Sequence, residues 1–227
     1  MPPVTRAHYR NTCRLIPSLY PAAGILDTVA APADLPAILE LESWTNDRIS
    51  AELGILHRIP PEEWVTGRPM SSVIMAAFCH PRAGGGRFNG TDRGAWYAGI
   101  DLATAHAEIV YHRTRELSEI GVFETRVQMR LYLADFHAEF HDVRAGTKEN
   151  RPFHDPASYT ASQALARDLL ASNSNGVLYR SVRYPGGECL ACFRPTLVAN
   201  VRPDAYFEYR WEGIRTPVIR KLRALRP

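Results

Sequence analysis

Four polar residues, Arg87, Tyr97, Glu108 and Ser181, stand where a rigid element could present them to a ligand. Arg87 follows three glycines, so the backbone can pass close to a bound molecule at this point. The planar guanidinium of an arginine matches phosphate oxygens and would suit a pyrophosphate. A solvent-exposed arginine in a glycine-rich loop is the alternative interpretation, and the residue alone does not decide between the two.

Glu108 stands at the margin of the apolar face of a predicted helix. Asp101 offers an N-cap for this helix, which is predicted over residues 102–115. A carboxylate at the edge of a core must be solvated, paired or used in chemistry. An ion pair with Arg113 or Arg115 is the structural alternative, and it stays open at this point.

Ser181 and Tyr97 are predicted to lie on strands, where each has an ordinary structural explanation. Ser181 shares a strand face with Tyr179 and Val177, and a serine in that setting often satisfies a backbone group. Tyr97 follows Trp96 on a short strand, where an aromatic residue is more often part of the core than of a site. Taken singly, these two residues favour a structural role.

The elements that carry these residues combine strands and helices without a regular β-α-β order. Strands are predicted over residues 94–99, 123–133, 176–182 and 188–193, the last two as a hairpin. A second helix is predicted over residues 160–172, and residues 134–158 are predicted to be irregular. This mixture predicts an α+β fold with a mixed sheet and flanking helices.

The first 80 residues differ from the rest in proline content and in apolar spacing. Prolines divide them into short pieces, and residues 33–53 have the apolar spacing of a helix. We therefore expect residues 1–80 to form a helical extension that packs on a catalytic core over residues 81–227.

Composition excludes several classes of function. The 27 basic and 24 acidic side chains give a net charge of +3, and the one dense basic stretch, residues 215–226, is typical of a solvated face of a C-terminal helix. Direct nucleic-acid binding is therefore not expected. No leader or membrane-length apolar run is visible, so we expect a cytoplasmic protein that does not enter the membrane.

Neither a metal nor a permanently bound cofactor is expected. Cys189 and Cys192 lack a second pair, and residues three apart on a strand point to opposite faces, which is typical of core cysteines with reduced thiols. His106 and His112 do not have the spacing of a zinc-binding helix. The glycines at 84–86 are not followed by a dinucleotide-binding fingerprint.

Four separated motifs, in this order along the chain, resemble the RES domain family. They are the runs GRFNG at 86–90, WYA at 96–98, TAHAE at 104–108 and GVLYRSVR at 176–183. The family is named for its arginine, glutamate and serine, which correspond here to Arg87, Glu108 and Ser181. Its pocket tyrosine corresponds to Tyr97.

This resemblance implies a compact fold similar to ADP-ribosyltransferases and an enzyme that consumes NAD⁺. Members of the family are toxins of toxin–antitoxin pairs, and some are described as NAD⁺ phosphorylases or glycohydrolases, others as transferring ADP-ribose to a protein. The resemblance therefore implies an antitoxin partner, with homodimerisation inside that complex left open. A protein acceptor is favoured, phosphate or water is the alternative, and a non-catalytic nucleotide-binding protein is a further one.

The chemistry assigned to each residue follows from the substrate. Nicotinamide leaves NAD⁺ as a neutral ring, so the positive charge that develops on the ribose is what requires stabilisation. A fixed carboxylate suits that task, and Glu108 is the candidate. Arg87 would hold the pyrophosphate, Ser181 would position the ribose or the glutamate, and Tyr97 would wall the nicotinamide pocket.

Overall fold

In the part of the chain that the structure describes, a seven-stranded mixed sheet with three helices forms the framework. The computed structural model describes residues 1–20, 24–27 and 54–223. The strands are β1 (Val4–Pro17), β2 (Trp96–Gly99), β3 (Glu124–Asp142), β4 (Gly176–Arg180), β5 (Glu188–Cys192), β6 (Ala199–Glu212) and β7 (Val218–Leu222). The helices are α1 (Ser71–Cys79), α2 (Leu102–Ile120) and α3 (Thr160–Ala171). This confirms the predicted α+β class.

The strands follow the order β1-β2-β5-β4-β3-β6-β7, and β1 also pairs with β3. All neighbouring pairs are antiparallel except β3 and β4. Because β1 pairs on both of its edges, the five strands β1, β2, β5, β4 and β3 close into a ring. β6 and β7 continue outward from the first half of β3.

In the hairpin of β4 and β5, alternate residues of β5 lie on opposite faces of the sheet, as the sequence pattern predicts. On β5, Cys189 and Ala191 belong to one buried cluster, whereas Leu190 and Cys192 belong to another on the opposite face. Both cysteines are buried and free. The prediction that they are core residues is therefore confirmed.

The expectation of a helical N-terminal region is wrong for residues 4–17. These residues form β1, which pairs along twelve positions with β3 and buries Ala7, Cys13 and Leu15. Pro17 does not interrupt this strand, because it is the last residue of β1, and pairing with a distant strand decides the conformation of the residues before it. The helix predicted over residues 33–53 lies outside the described residues, and the boundary at residue 80 stays a prediction.

Two further expectations need correction, at residues 134–142 and at the C-terminal end. β3 continues to Asp142 because Ala134, Phe136 and Phe140 are buried in alternation with more exposed residues. In the C-terminal stretch, residues 218–222 form β7 rather than part of a helix, although Arg220 and Lys221 are exposed as predicted. Among the helices in the described ranges, none is long and apolar enough to cross a membrane.

A buried ion-pair network ties the residues before α1 to the sheet. Glu63 accepts hydrogen bonds from Arg93 and from Arg194, the latter at 2.5 Å. Arg93 also donates to the backbone oxygen of Phe193 at 2.7 Å, just after β5. These contacts fix residues 54–80 against the elements that carry the site.

Candidate active site

A cleft of about 780 Å³ brings together three of the four residues singled out from the sequence. Arg87, Tyr97 and Glu108 line it, together with parts of β1, β2, α2 and the loop before α3. Its volume is that of a small-molecule binding site. Ser181 is not part of this wall; it lies behind Glu108 and contacts it directly.

The helix that carries Glu108 is fixed at both ends. At its start, the Asp101 carboxylate accepts hydrogen bonds from the Thr104 backbone N–H and hydroxyl, both at 2.8 Å. At its end, Gly121 takes the left-handed conformation with φ of 69°. The predicted N-cap is therefore confirmed, and Glu108 is mounted on a rigid element.

The Glu108 carboxylate is oriented by the hydroxyl of Ser181. Ser181 Oγ donates to Glu108 Oε1 at 2.6 Å. The same Oγ accepts from the backbone N–H groups of Arg183 at 3.1 Å and Tyr184 at 3.0 Å. Because both acceptor positions of the hydroxyl are engaged by the backbone, its single proton points to the carboxylate.

The alternative ion pairs for Glu108 are excluded by what the two arginines contact. Arg113 pairs with Glu116 at 2.6 Å, and Arg115 pairs with Glu119 at 3.1 Å. Within the ranges that the structure covers, no arginine or lysine forms an ion pair with Glu108. Glu108 therefore brings to the cleft a negative charge that no described residue pairs with directly.

Arg87 is positioned by backbone carbonyls rather than by a carboxylate. Its NH1 donates to the backbone oxygens of Phe153 at 3.1 Å and Asp155 at 2.9 Å. Its guanidinium carbon lies 4.7 Å from the centre of the Tyr159 ring. The side chain is buried and forms no ion pair with another described residue, so its positive charge is available to an anionic ligand.

The loop that carries Arg87 requires glycine. A Cβ atom on Gly86 would lie 2.5 Å from Asn89 Oδ1 and 2.7 Å from the Tyr97 hydroxyl, and Gly85 has a φ of 69°. Gln163 of α3 closes the loop from the other side, where its Nε2 donates to the backbone oxygens of Gly84 and Gly86 at 2.9 and 3.0 Å. The glycines therefore permit a close approach that places Arg87 at the cleft.

Tyr97 supports the same loop through its hydroxyl. Tyr97 Oη donates to Asn89 Oδ1 at 2.8 Å and accepts from the Phe88 backbone N–H at 2.8 Å. Burial raises the pKa of this phenol well above its ordinary value, so it stays protonated. The ring lines the cleft as the sequence interpretation expected, while the hydroxyl holds the two residues that follow Arg87.

Arg14 is a cleft residue that the sequence interpretation missed. Its NH1 donates to the Tyr97 backbone oxygen at 3.0 Å, and its guanidinium carbon lies 4.8 Å from the centre of the Trp96 indole. Burial lowers the pKa of Arg14 to about 10, which still leaves it charged at neutral pH. The sequence shows Arg14 only as an arginine within an apolar run. This position points to the cleft only once β1 is recognised as a strand.

His112, one helical turn after Glu108, also lines the cleft. Burial, and then the charges of Arg82 and Arg183, lower the pKa of its imidazole to about 3. The ring is therefore neutral near pH 7. It accepts a hydrogen bond from Arg82 NH1 at its Nδ1, at 3.2 Å.

Comparison with known proteins agrees with the resemblance drawn from the motifs. The family model described as RES domain matches residues 55–212. The Sinorhizobium fredii protein y4oC is 24% identical over 209 residues, which cover 91% of this chain and 85% of the relative. A chain in the crystal structure of the M. tuberculosis MbcT–MbcA toxin–antitoxin complex aligns with a TM-score of 0.46 at 12% identity, covering 89% of this chain and 86% of that one.

Proposed function

Since this chain belongs to the RES domain family, we propose that it cleaves the nicotinamide–ribose bond of NAD⁺ and transfers ADP-ribose, as the toxin of a toxin–antitoxin pair. The observation that carries the proposal is the position of Glu108 and the contacts of its carboxylate. This carboxylate lies in the cleft without an ion-pair partner among the described residues, and its orientation is set by Ser181 at 2.6 Å. Such a group is suited to stabilising positive charge on a bound sugar.

The reaction needs no proton on the leaving group. The bond between the ribose C1″ and the pyridinium nitrogen breaks, and its electron pair stays on nicotinamide, which leaves neutral. The positive charge moves to the ribose, where Glu108 would stabilise it. An acceptor oxygen or nitrogen then bonds to C1″ and loses its proton to solvent or to a nearby base.

The other residues divide between binding and positioning. Arg87, buried and without an ion-pair partner among the described residues, would bind the pyrophosphate, and Arg14 supplies a second positive charge to the cleft. The Tyr97 ring would wall the nicotinamide pocket. Ser181 would act through Glu108 rather than on the ribose, because it lies behind the carboxylate.

We propose a protein side chain as the first candidate for the acceptor. The support is the family, some members of which are described as transferring ADP-ribose to a protein. Inorganic phosphate is the second candidate, favoured by the arginines that surround the cleft, among them Arg14, Arg82, Arg87 and Arg115. Transfer to water would make the protein a glycohydrolase.

A toxin of this kind requires a neutralising partner, and an antitoxin that covers the cleft is part of the proposal. Its support is the family alone. Homodimerisation within such a complex, and a cytoplasmic location, belong to the same proposal.

Product analysis by mass spectrometry tests the reaction and the acceptor together. The purified protein is incubated with adenine-labelled NAD⁺ in three parallel reactions: in buffer, with phosphate and with cell lysate. Label on protein supports transfer to a protein, ADP-ribose 1″-phosphate supports phosphorolysis, and free ADP-ribose supports hydrolysis. Absence of nicotinamide in all three reactions would refute the proposed chemistry.

The non-catalytic alternative is separated by toxicity in cells. If the chain only binds a nucleotide, Glu108→Gln should leave its toxicity unchanged while the cleft still binds. We expect instead that toxicity is lost in this variant, with thermal melting used to confirm that the protein remains folded.

A further inference from the structure

We propose that Arg82 and His112 form an oxyanion subsite at the cleft, which takes a phosphate group beside Glu108. Both residues line the cleft, and neither belongs to the four motifs of the sequence. The inference rests on the proposed function only for where the phosphate comes from, the nucleotide or a separate acceptor ion. Binding itself needs no turnover and is tested separately.

The hydrogen bond between the two residues determines which nitrogen of His112 can donate. An arginine has only donors, so Arg82 NH1, at 3.2 Å from His112 Nδ1, requires that Nδ1 carry no proton. The ring proton of the neutral imidazole is therefore on Nε2. In the part of the chain that the structure covers, no acceptor contacts Nε2. Arg82 and His112 thus offer N–H donors and no acceptor of their own to a ligand.

The charges around His112 favour an anion. Besides burial, which is the largest cause, the charges of four arginines, Arg82, Arg183, Arg115 and Arg87, lower the pKa of the imidazole. Arg115 pairs with Glu119, and Arg82 reaches Glu116 only at 3.5 Å, a carboxylate that Arg113 already contacts at 2.6 Å. The positive charge at this point is therefore only partly compensated by protein carboxylates.

Arg183 adds positive charge that no described carboxylate neutralises. Its guanidinium carbon lies 3.3 Å from the centre of the Tyr111 ring, and its NH2 donates to the Pro156 backbone oxygen at 2.8 Å. It follows Ser181 by two residues, so the turn that orients Glu108 also delivers this charge. This charge and that of Arg82 offset the carboxylate of Glu108, one turn earlier on α2, so that an oxyanion can bind at His112.

The position relative to Glu108 limits what the phosphate can be. His112 follows Glu108 by four residues on α2, which places the two side chains on one helix face, about 6 Å apart along the axis. A phosphate there is close to the sugar that Glu108 would contact. It is either part of the nucleotide's pyrophosphate or a separate phosphate ion that serves as acceptor.

Calorimetric titration of the wild-type protein with inorganic phosphate tests the subsite, without NAD⁺ present. We expect saturable binding that Arg82→Gln weakens by about tenfold, the loss expected for one charge-assisted hydrogen bond. His112→Phe, which removes the Nε2 donor, should have a similar effect. The matched control is Arg6→Gln, which removes an arginine that is paired with Glu139 and does not line the cleft; it should change the affinity by about twofold at most.

A second titration identifies the source of the phosphate. If saturating ADP-ribose displaces phosphate, the subsite belongs to the nucleotide's pyrophosphate; if phosphate still binds, it belongs to a separate acceptor ion. Both results support the subsite. Absence of saturable phosphate binding, or an equal loss in Arg82→Gln and Arg6→Gln, overturns it. Since no turnover is measured, a failure of NAD⁺ cleavage would not produce either of these results.

Discussion

The two walls of the cleft hold their charged residues in different ways. On the helix wall, Glu108 belongs to a 19-residue helix, and one side-chain hydroxyl, that of Ser181, orients it. On the loop wall, Arg87 is held by two backbone carbonyls, and its loop is closed by Tyr97 and Gln163. A single substitution can therefore reorient the carboxylate, whereas the arginine depends on a set of contacts that no single residue controls.

The largest effect is expected at Glu108 itself. Glu108→Gln keeps the shape and the hydrogen bond to Ser181 but removes the negative charge, so the rate of nicotinamide release should fall by about a hundredfold or more. NAD⁺ affinity should change little, because the charge is needed mainly as the bond breaks. Rates at saturating NAD⁺ and calorimetric binding separate the two. Weakened binding with an unchanged rate would assign Glu108 to substrate binding instead.

On the loop wall, Arg87→Gln should weaken the binding of NAD⁺. Loss of a charged hydrogen-bond donor to the pyrophosphate should raise the Kd for NAD⁺ by about 10- to 100-fold. Arg87→Lys is the matched variant, since it keeps the charge but lacks the planar guanidinium, and it should recover only part of the affinity. Equal affinities for wild type and Arg87→Gln would place the pyrophosphate elsewhere.

Ser181→Ala tests how strongly the helix wall depends on one hydroxyl. The hydroxyl proton would no longer hold Glu108 Oε1, so the rate should fall by about tenfold while KM stays close to the wild-type value. Ser181→Thr keeps a hydroxyl and should restore part of the rate. A rise in KM without a change in rate would mean that Ser181 contacts the ribose directly.

Tyr97→Phe gives the corresponding test for the loop wall, and a smaller effect is expected. The ring that lines the cleft is kept, but the hydrogen bonds to Asn89 and from Phe88 are lost. Because the two lost bonds hold the loop rather than the ligand, and other contacts still hold that loop, NAD⁺ affinity should fall only about threefold. A loss as large as that of Arg87→Gln would show that one hydroxyl also controls this wall.

The smallest effect concerns the pH dependence of stability. The folded-state pKa of His112, about 3, lies below the ordinary value of 6.5, so the unfolded chain binds the proton first as the pH falls. His112 therefore lowers stability as the pH drops from about 6.5 towards 3. His112→Gln should show less loss of melting temperature than wild type between pH 7 and pH 4.5. Parallel curves for the two proteins would contradict the burial of a neutral ring.

The parts of the fold that were predicted have a clear local pattern. The start of β3 alternates apolar and polar residues, and α2 has an N-cap residue at Asp101, so both could be identified from short windows. β1 and β7 could not, because their conformation depends on pairing with β3 and β6, which are distant in sequence. Long-range pairing of this kind leaves little trace in local composition.

The candidate site likewise has parts that the sequence predicted and parts that it could not. Arg87, Tyr97, Glu108 and Ser181 were found through motifs, but the bond between Glu108 and Ser181 joins residues 73 positions apart and could not be derived from spacing. Arg14 was missed because it comes from β1. Its place beside Tyr97 becomes visible only when the ring of strands is closed.

The most direct test of this account is nicotinamide release from NAD⁺ by the purified wild-type protein. We predict release that increases linearly with protein concentration and time, and that ADP-ribose inhibits competitively by occupying the same cleft. No release above the level without protein, whether in buffer, with phosphate or with lysate, would contradict the assignment of the cleft to this reaction.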